Sequence, residues 1–303
     1  MKKHFLLLLA IVAGIGTISA DIIDHVQIGD FYYNLDTENL TAEVTRSDNN
    51  YSDLTSIAIP FTIIYNDVTY CVTSIGFQAF NWCGSLTSIE IPNSVTIIRG
   101  CAFHSCSGLT TIEIPNSVTN IGIQAFSYCS SLTSILVEKG NPMYDSRDNC
   151  NAIIETYSNK LIVGCMNTTI PHDVTSIGLS AFDGCTGLTT VIIGNSVTNI
   201  EDYAFYSCSG LTSITSEAAN PPAVGSSVFY EVDKSIPLYV PAESITAYQA
   251  ADQWKEFYNI LAIEEANEVV YDTKHSSKLI RNGSVYILTD DSRTYTLTGR
   301  QVR

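Results

Sequence analysis

Apolar residues recur along this chain with a fixed period of 23. The dipeptide Ala-Phe ends at Phe80, Phe103 and Phe126, and again at Phe182 and Phe205. Three residues after each Phe stands a cysteine (Cys83, Cys106, Cys129, Cys185, Cys208), and three after that a leucine (Leu86, Leu109, Leu132, Leu188, Leu211). A period in this range marks a solenoid, in which one coil cannot bury its apolar face alone and stacks on its neighbours. The unit reads Leu-x-x-Ile-x-Ile-Pro-x-x-Val-x-x-Ile-x-x-x-Ala-Phe-x-x-Cys-x-x, most clearly over residues 86–108 and 109–131. Ile-x-Ile predicts a short strand with Leu86, Ile89 and Ile91 inward, since β-branched residues at period 2 suit a half-buried strand. Pro92 ends it, because proline cannot continue a ladder. Val95 and Ile98 predict a second inward edge. Ala102, Phe103 and Cys106 fill the third side, where the spacing of Phe and Cys predicts a helical turn.

Two stretches depart from the period. Phe126 and Phe182 are 56 residues apart, one period plus an extra coil over residues 138–171. That coil keeps a strand ending at Val137, loses Ala-Phe, and carries two apolar runs around Ser158-Asn159, the pattern of a hairpin. An open solenoid needs both ends covered. Residues 21–70, with alternating stretches, predict an N-terminal β cap to a solenoid over 71–241. Residues 242–262 predict a capping helix, with Ile245, Tyr248, Trp254 and Phe257 on one face; Trp254 reads as core closure. Residues 263–277 read as a polar linker. Residues 278–303 read as a small β module with a hairpin turn at Asn282-Gly283, too short for a core of its own.

Residues 1–20 have the form of a secretory signal: Lys2 and Lys3, a short apolar run, then Ser19-Ala20 before Asp21. No later segment is apolar enough to span a bilayer, so an integral membrane protein is not expected. The formal charge of −16 over 303 residues argues against nucleic acid, whose phosphates need a basic surface. Five of the nine cysteines share one inward column and are expected as buried free thiols, since reduced cysteine packs as a small hydrophobe. The pairing of Cys71, Cys101, Cys150 and Cys165 is left open by the sequence.

The runs Ala125-Phe-Ser-Tyr-Cys-Ser-Ser-Leu-Thr-Ser-Ile and Ile114-Pro-Asn-Ser-Val-Thr-Asn-Ile-Gly resemble the BspA-like leucine-rich repeat family. Its long coil is matched by Gly140-Asn-Pro-Met-Tyr onward to Ile170-Pro171, and its closing segment by Asn220-Pro-Pro and Leu238-Tyr-Val-Pro. The resemblance, over about residues 54–262, implies an α/β repeat solenoid: a right-handed leucine-rich-repeat coil with short parallel strands and helical turns, on exported or surface proteins. Some members are adhesins for host or microbial proteins. The family motif contains no fixed binding residues. Residues 278–303 resemble C-terminal sorting signals of type IX secretion.

No catalytic constellation is expected, nor any cofactor or metal site. Motifs for a nucleophile elbow, a phosphate loop or a zinc protease are missing. His104 reads as a surface residue of the third side. Asp145 and Asp148 lack the dense alternation of a calcium loop. The strand face is the first candidate surface. Its outward Thr and Ser columns are regular, and its third column varies: Glu90, Glu113, Leu136, Ile192, Thr215. Trp82, Tyr128 and Tyr206 on the third side form a second candidate patch, since exposed aromatics anchor many interfaces. The expected function is non-catalytic binding of host or microbial surface and matrix proteins. The alternatives are a glycan-binding module of a polysaccharide-scavenging system and a structural component without a soluble ligand.

Overall fold

The computed structural model describes residues 22–47, 51 and 53–263, and the backbone of five strands between 268 and 302. The signal-like residues 1–20 lie outside the described residues. The chain winds as a β-solenoid of about eight turns with the 23-residue repeat. One face carries Ser56–Ala58, Ser88–Glu90, Thr111–Ile114 and Ser134–Val137, then Thr190–Ile193, Ser213–Ser216, Pro237–Val240 and Asn259–Ala262. All pairings among these strands are parallel, for instance Ile135 beside Ile112 and Ile214 beside Val191. The second side is a column of two-residue strands such as Ile97–Ile98, Asn120–Ile121, Ser176–Ile177 and Asn199–Ile200. Every expected inward position of the first full coil is buried: Leu86, Ile89, Ile91, Val95, Ile98, Ala102, Phe103 and Cys106.

The third side corrects the expected helical turn. Ala79, Asn81 and Cys83 donate their amides to Gly76, Gln78 and Phe80, three residues back. The alternate amides of Gln78, Phe80 and Trp82 donate instead to Gly100, Ala102 and His104 of the next coil. A helix would keep its amides within its own turns and leave few for stacking; alternation satisfies both demands. It requires positive φ two residues either side of each Phe, as at Gln78 and Trp82 (57° and 65°) and at Gln124 and Tyr128 (57° and 60°). Such residues cost roughly 1–2 kcal/mol each outside glycine, offset by the coil-to-coil bonds they permit. Among the described residues the single α-helix is Ile245–Ala250.

The expected hairpin in the long coil is present as Ala152–Glu155 paired antiparallel with Lys160–Gly164. At the N-terminus, Ile22–Ile28, Phe31–Asp36 and Thr41–Thr45 form an antiparallel meander. Its last strand runs parallel to Val68–Ile75, which crosses the expected boundary at residue 70 and leads into the second column. The C-terminal cap is not one helix. Ile245–Ala250 and the 3-10 turn Trp254–Glu256 are followed by Asn259–Ala262, which joins the strand face. Trp254 closes the core as expected: it is fully buried and its Nε1 donates to the Pro222 carbonyl at 2.9 Å. The segment read as a linker carries the strand Glu268–Thr273, and Ser276–Arg281 pairs antiparallel with Ser284–Thr289; the turn expected at Asn282-Gly283 lies outside the described residues.

Candidate functional site

The strand face brings three predicted residues together. Glu113 and Leu136 are register partners, and with Glu90 they line a shallow groove of about 480 Å³ over the N-terminal half of the face. Glu90 and Glu113 are exposed, and Leu136 is 47% exposed. Glu138 lines the same groove and accepts the Asn116 amide at 2.8 Å. The sequence pattern places Glu138 at the start of the extra coil, but its position two residues after Leu136 in a strand-like run puts it on the same outward face. No Lys or Arg lines the groove.

Ile192 and Thr215 do not join this groove. They are partners of each other in the separate C-terminal sheet, where the row continues to Tyr239 and Leu261. Ile192 is half exposed, but Thr215, read as outward, is buried; its short side chain sits in register between the larger Ile192 and Tyr239. The regular Thr columns are also corrected. Thr87, Thr110, Thr133 and Thr212 donate both amide and hydroxyl to the Thr carbonyl of the preceding coil. Their hydroxyl protons belong to the ladder, which leaves a partner only the oxygen as an acceptor.

The aromatic patch divides into two clusters. Trp82, 65% exposed, packs edge-on against His104, which packs against Tyr128. His104 is therefore half-buried within a ring row, and burial lowers its pKa. Tyr206 stacks on Tyr230 at 4.8 Å and meets Tyr203 edge-on. The two clusters meet where the Tyr128 hydroxyl lies 3.3 Å from Ser207 Oγ. Tyr128 also sits against Gly184, which replaces the bulkier residue of this turn position. Gly184 has φ +71°, and a Cβ there would fall 2.5 Å from the Tyr128 ring. His104, Tyr203 and Tyr230 extend the patch beyond the sequence prediction; for His104 and Tyr230 the missed signal was the stacking column one residue after each Phe, while Tyr203 stands two residues before Phe205.

The cysteine column is a packing element. All nine cysteines carry free thiols. Cys106, Cys129 and Cys208 Sγ donate to the carbonyls of Phe80, Phe103 and Phe182 in the preceding coil at 3.0–3.1 Å. Burial raises the pKa of Cys185 to about 12 and that of Cys208 well above the usual thiol range, which makes them poor nucleophiles. Asp145 is likewise no open cation site. Its carboxylate is held by Arg147 through Nε and Nη2, both at 2.7 Å, and Arg147 Nη1 reaches Asp173 at 2.6 Å.

The periodicity and this coil geometry have a counterpart among known families. A family model described as "BspA type Leucine rich repeat region" matches residues 49–147 and 152–266, with six copies. The chain belongs to the BspA-type leucine-rich repeat family. Its solved structural neighbours include a leucine-rich cell surface protein of Faecalibacterium prausnitzii, 19% identical, covering 82% of this chain and 97% of that one, with TM-score 0.38. They also include a T. pallidum leucine-rich repeat protein, 22% identical, covering 69% and 91%, with TM-score 0.40. A leucine-rich repeat protein of Bacteroides ovatus is 19% identical, covering 78% and 76%, with TM-score 0.32. No curated protein matches the chain. A BspA-type repeat array of this kind is suited to protein binding, because stacked coils present long regular faces. No helix among its described residues is long and apolar enough to cross a membrane.

One further feature of this BspA-type array escaped the motif. Asp183, in the turn that receives the chain after the long coil, is 5% exposed. One carboxylate oxygen accepts Gln124 Nε2 at 3.2 Å, and the other has no hydrogen-bond partner. Burial pushes its pKa up to about 6, tempered by Gln124, Ser127 and Tyr128. It occupies the column position that holds His104 and Tyr206 in other coils, so only a column-by-column comparison would have singled it out.

Proposed function

We propose that the protein is an exported, non-catalytic binding protein of the cell surface or its surroundings. On this reading the N-terminal half of the strand face takes a basic segment of a host or microbial surface or matrix protein. The groove carries the reading: Glu90, Glu113 and Glu138 surround the exposed Leu136 with no cation among the lining residues. A Lys- or Arg-bearing segment with one apolar anchor complements it in charge and shape. The right-handed winding implied by the family resemblance, and the reading of residues 278–303 as a sorting signal, belong to the same proposal.

Binding of the purified protein to a panel of matrix and plasma proteins tests it, with ionic strength varied. A hit through the groove weakens at least tenfold between low and high salt, because exposed charge pairs are screened, and is lost in Glu90→Lys/Glu113→Lys. A hit insensitive to both removes the groove from the account. Export is tested by fractionating cells that express the full chain and a chain ending at residue 277; retention of only the shortened form supports the sorting role. The two aromatic clusters support a second reading, glycan binding at Trp82, His104 and Tyr128 or at Tyr203, Tyr206 and Tyr230. That reading requires a glycan hit that salt leaves unchanged and that either Trp82→Ala/Tyr128→Ala or Tyr206→Ala/Tyr230→Ala abolishes. No hit in either panel favours the third reading, a structural component.

A further inference from the structure

The Phe rings of successive coils stack in two runs. Phe80, Phe103 and Phe126 follow one another at 5.3 Å, and Phe182, Phe205 and Phe229 at 5.0 and 5.8 Å. Between Phe126 and Phe182 the long coil adds no ring to the stack; its buried Tyr144 stands at the wall of the gap, with its hydroxyl accepting the Ile121 amide at 3.1 Å. Gly164 lies against the Phe182 ring instead, so close that a Cβ would fall 2.1 Å from Cε1. Beside this substitution a cavity of about 280 Å³ opens to the surface past Ile123 and Leu179.

Its apolar walls include Phe126, Ile162, Val163 and Phe182, and four charged residues also line it: Asp183, Glu155, Glu201 and Lys160. Lys160 Nζ is 2.8 Å from Glu201, whose other oxygen accepts the Leu179 amide at 2.9 Å. The one cation of the lining is thus paired, and Asp183 and Glu155 remain in excess. Ser158 donates to Glu155. Asp183 Oδ1 and the buried Ser127 hydroxyl in the same lining each make no hydrogen bond of normal geometry, although Ser127 and Tyr128 stand close enough to Asp183 to hold its pKa down in part. A buried acceptor without a donor is costly, and it is relieved most by a charged donor. An anion would meet two uncompensated carboxylates, and a neutral solute would leave the excess charge unbalanced.

We infer that this cavity binds a small organic cation, an ammonium group on an apolar stem or single ring. The ammonium pairs with Asp183 and the apolar part takes the place of the missing Phe ring. The site shares no lining residue with the strand groove, so it stands or falls independently of it.

Calorimetric titration of the full purified protein with benzylammonium, butylammonium, benzyl alcohol and benzoate tests the inference. Saturable binding of benzylammonium is expected in the millimolar range or tighter, with benzyl alcohol at least tenfold weaker and benzoate silent. Asp183→Asn lowers the benzylammonium affinity at least tenfold. Ile123→Trp, at a position 62% exposed at the mouth, blocks entry without touching the core. Nα-acetyl-lysine methylamide, run alongside, separates a protein lysine from a free amine as the source of the ammonium. The inference fails if neither free amine nor the lysine amide saturates, if the alcohol binds as tightly as the amines, or if both variants bind unchanged. Thermal melts check that the variants fold. Should Asp183→Asn not fold, the comparison of amine with alcohol in the native protein and in Ile123→Trp decides the matter.

Discussion

Thr110 donates twice to the coil before it, through its amide at 3.1 Å and its hydroxyl at 3.1 Å, both to the Thr87 carbonyl. Thr96, Thr119 and Thr198 do the same at the second corner. The recurrence of Thr was legible as a column, but its role was not, because a solvent-facing strand residue and a ladder hydroxyl leave the same sequence trace. Replacing Thr110 by Val keeps the β-branched shape and removes one hydrogen bond, so a loss of about 0.5–1.5 kcal/mol is expected; Thr110→Ser should lose less. Denaturant unfolding of the pair checks this, and a larger loss in Thr110→Ser than in Thr110→Val would mean that the methyl group, not the hydroxyl, matters. Asp183 makes a prediction of opposite sign. Its folded-state pKa of about 6 lies above the ordinary 3.8. Its contribution therefore favours the folded state fully below about pH 4 and is lost as pH rises through 6. Asp183→Asn should gain stability relative to the native protein between pH 4 and pH 7, by about 1–2 kcal/mol after allowance for solvent screening. A stability difference that stays flat over that range counts against the buried, unpartnered carboxylate.

The long coil, residues 138–171, is held at the scale of the element by two side chains. Asn141 Nδ2 donates to the carbonyls of Pro115 and Val118, and its Oδ1 accepts the amides of Met143 and Tyr144. Arg147 joins Asp145 and Asn159, on two separate parts of the coil, to Asp173 just beyond its end. The hairpin was readable from two apolar runs around Ser158-Asn159. The Arg147 clamp was not, because its partner Asp173 stands 26 residues away and no local pattern links them. Arg147→Leu leaves two carboxylates facing each other without their cation. For a partly exposed cluster we expect a loss of about 1–3 kcal/mol and faster proteolytic cutting within residues 138–171. Limited proteolysis followed by mass spectrometry reads the site of cutting; cuts confined to the termini would show that the hairpin stands without the clamp.

At the scale of the whole molecule the long coil is a partition. Ile153 and Val163 belong to the N-terminal apolar core, while Ala152, Ile154 and Leu161 belong to the C-terminal one. The strand face and the second column break at the same level, since Ser134–Val137 and Asn120–Ile121 each end a sheet there. The third side continues across, with Tyr128 donating to the Asp183 carbonyl at 2.9 Å. Solenoid stability is a sum over neighbouring coils, so a weakened interface divides cooperativity. Trp254 is buried in the C-terminal core and Trp82 is exposed. In a Trp82→Phe background, unfolding followed by Trp254 fluorescence should precede or lag the transition seen by far-ultraviolet circular dichroism. Coincident curves would show one cooperative unit instead. The sequence by itself determined the repeat, its inward residues, the place where the period fails and the family, because one-dimensional periodicity dictates which residues each coil must bury. Only the tertiary structure decided that the third side is an alternating chain of turns and that the Thr hydroxyls are spent on the ladder. It also decided that Glu138 joins the groove and that a missing ring leaves a cavity beside Asp183. Each of these depends on which residues of different coils come level, and that is set by hydrogen-bond register between coils and not by any pattern within one.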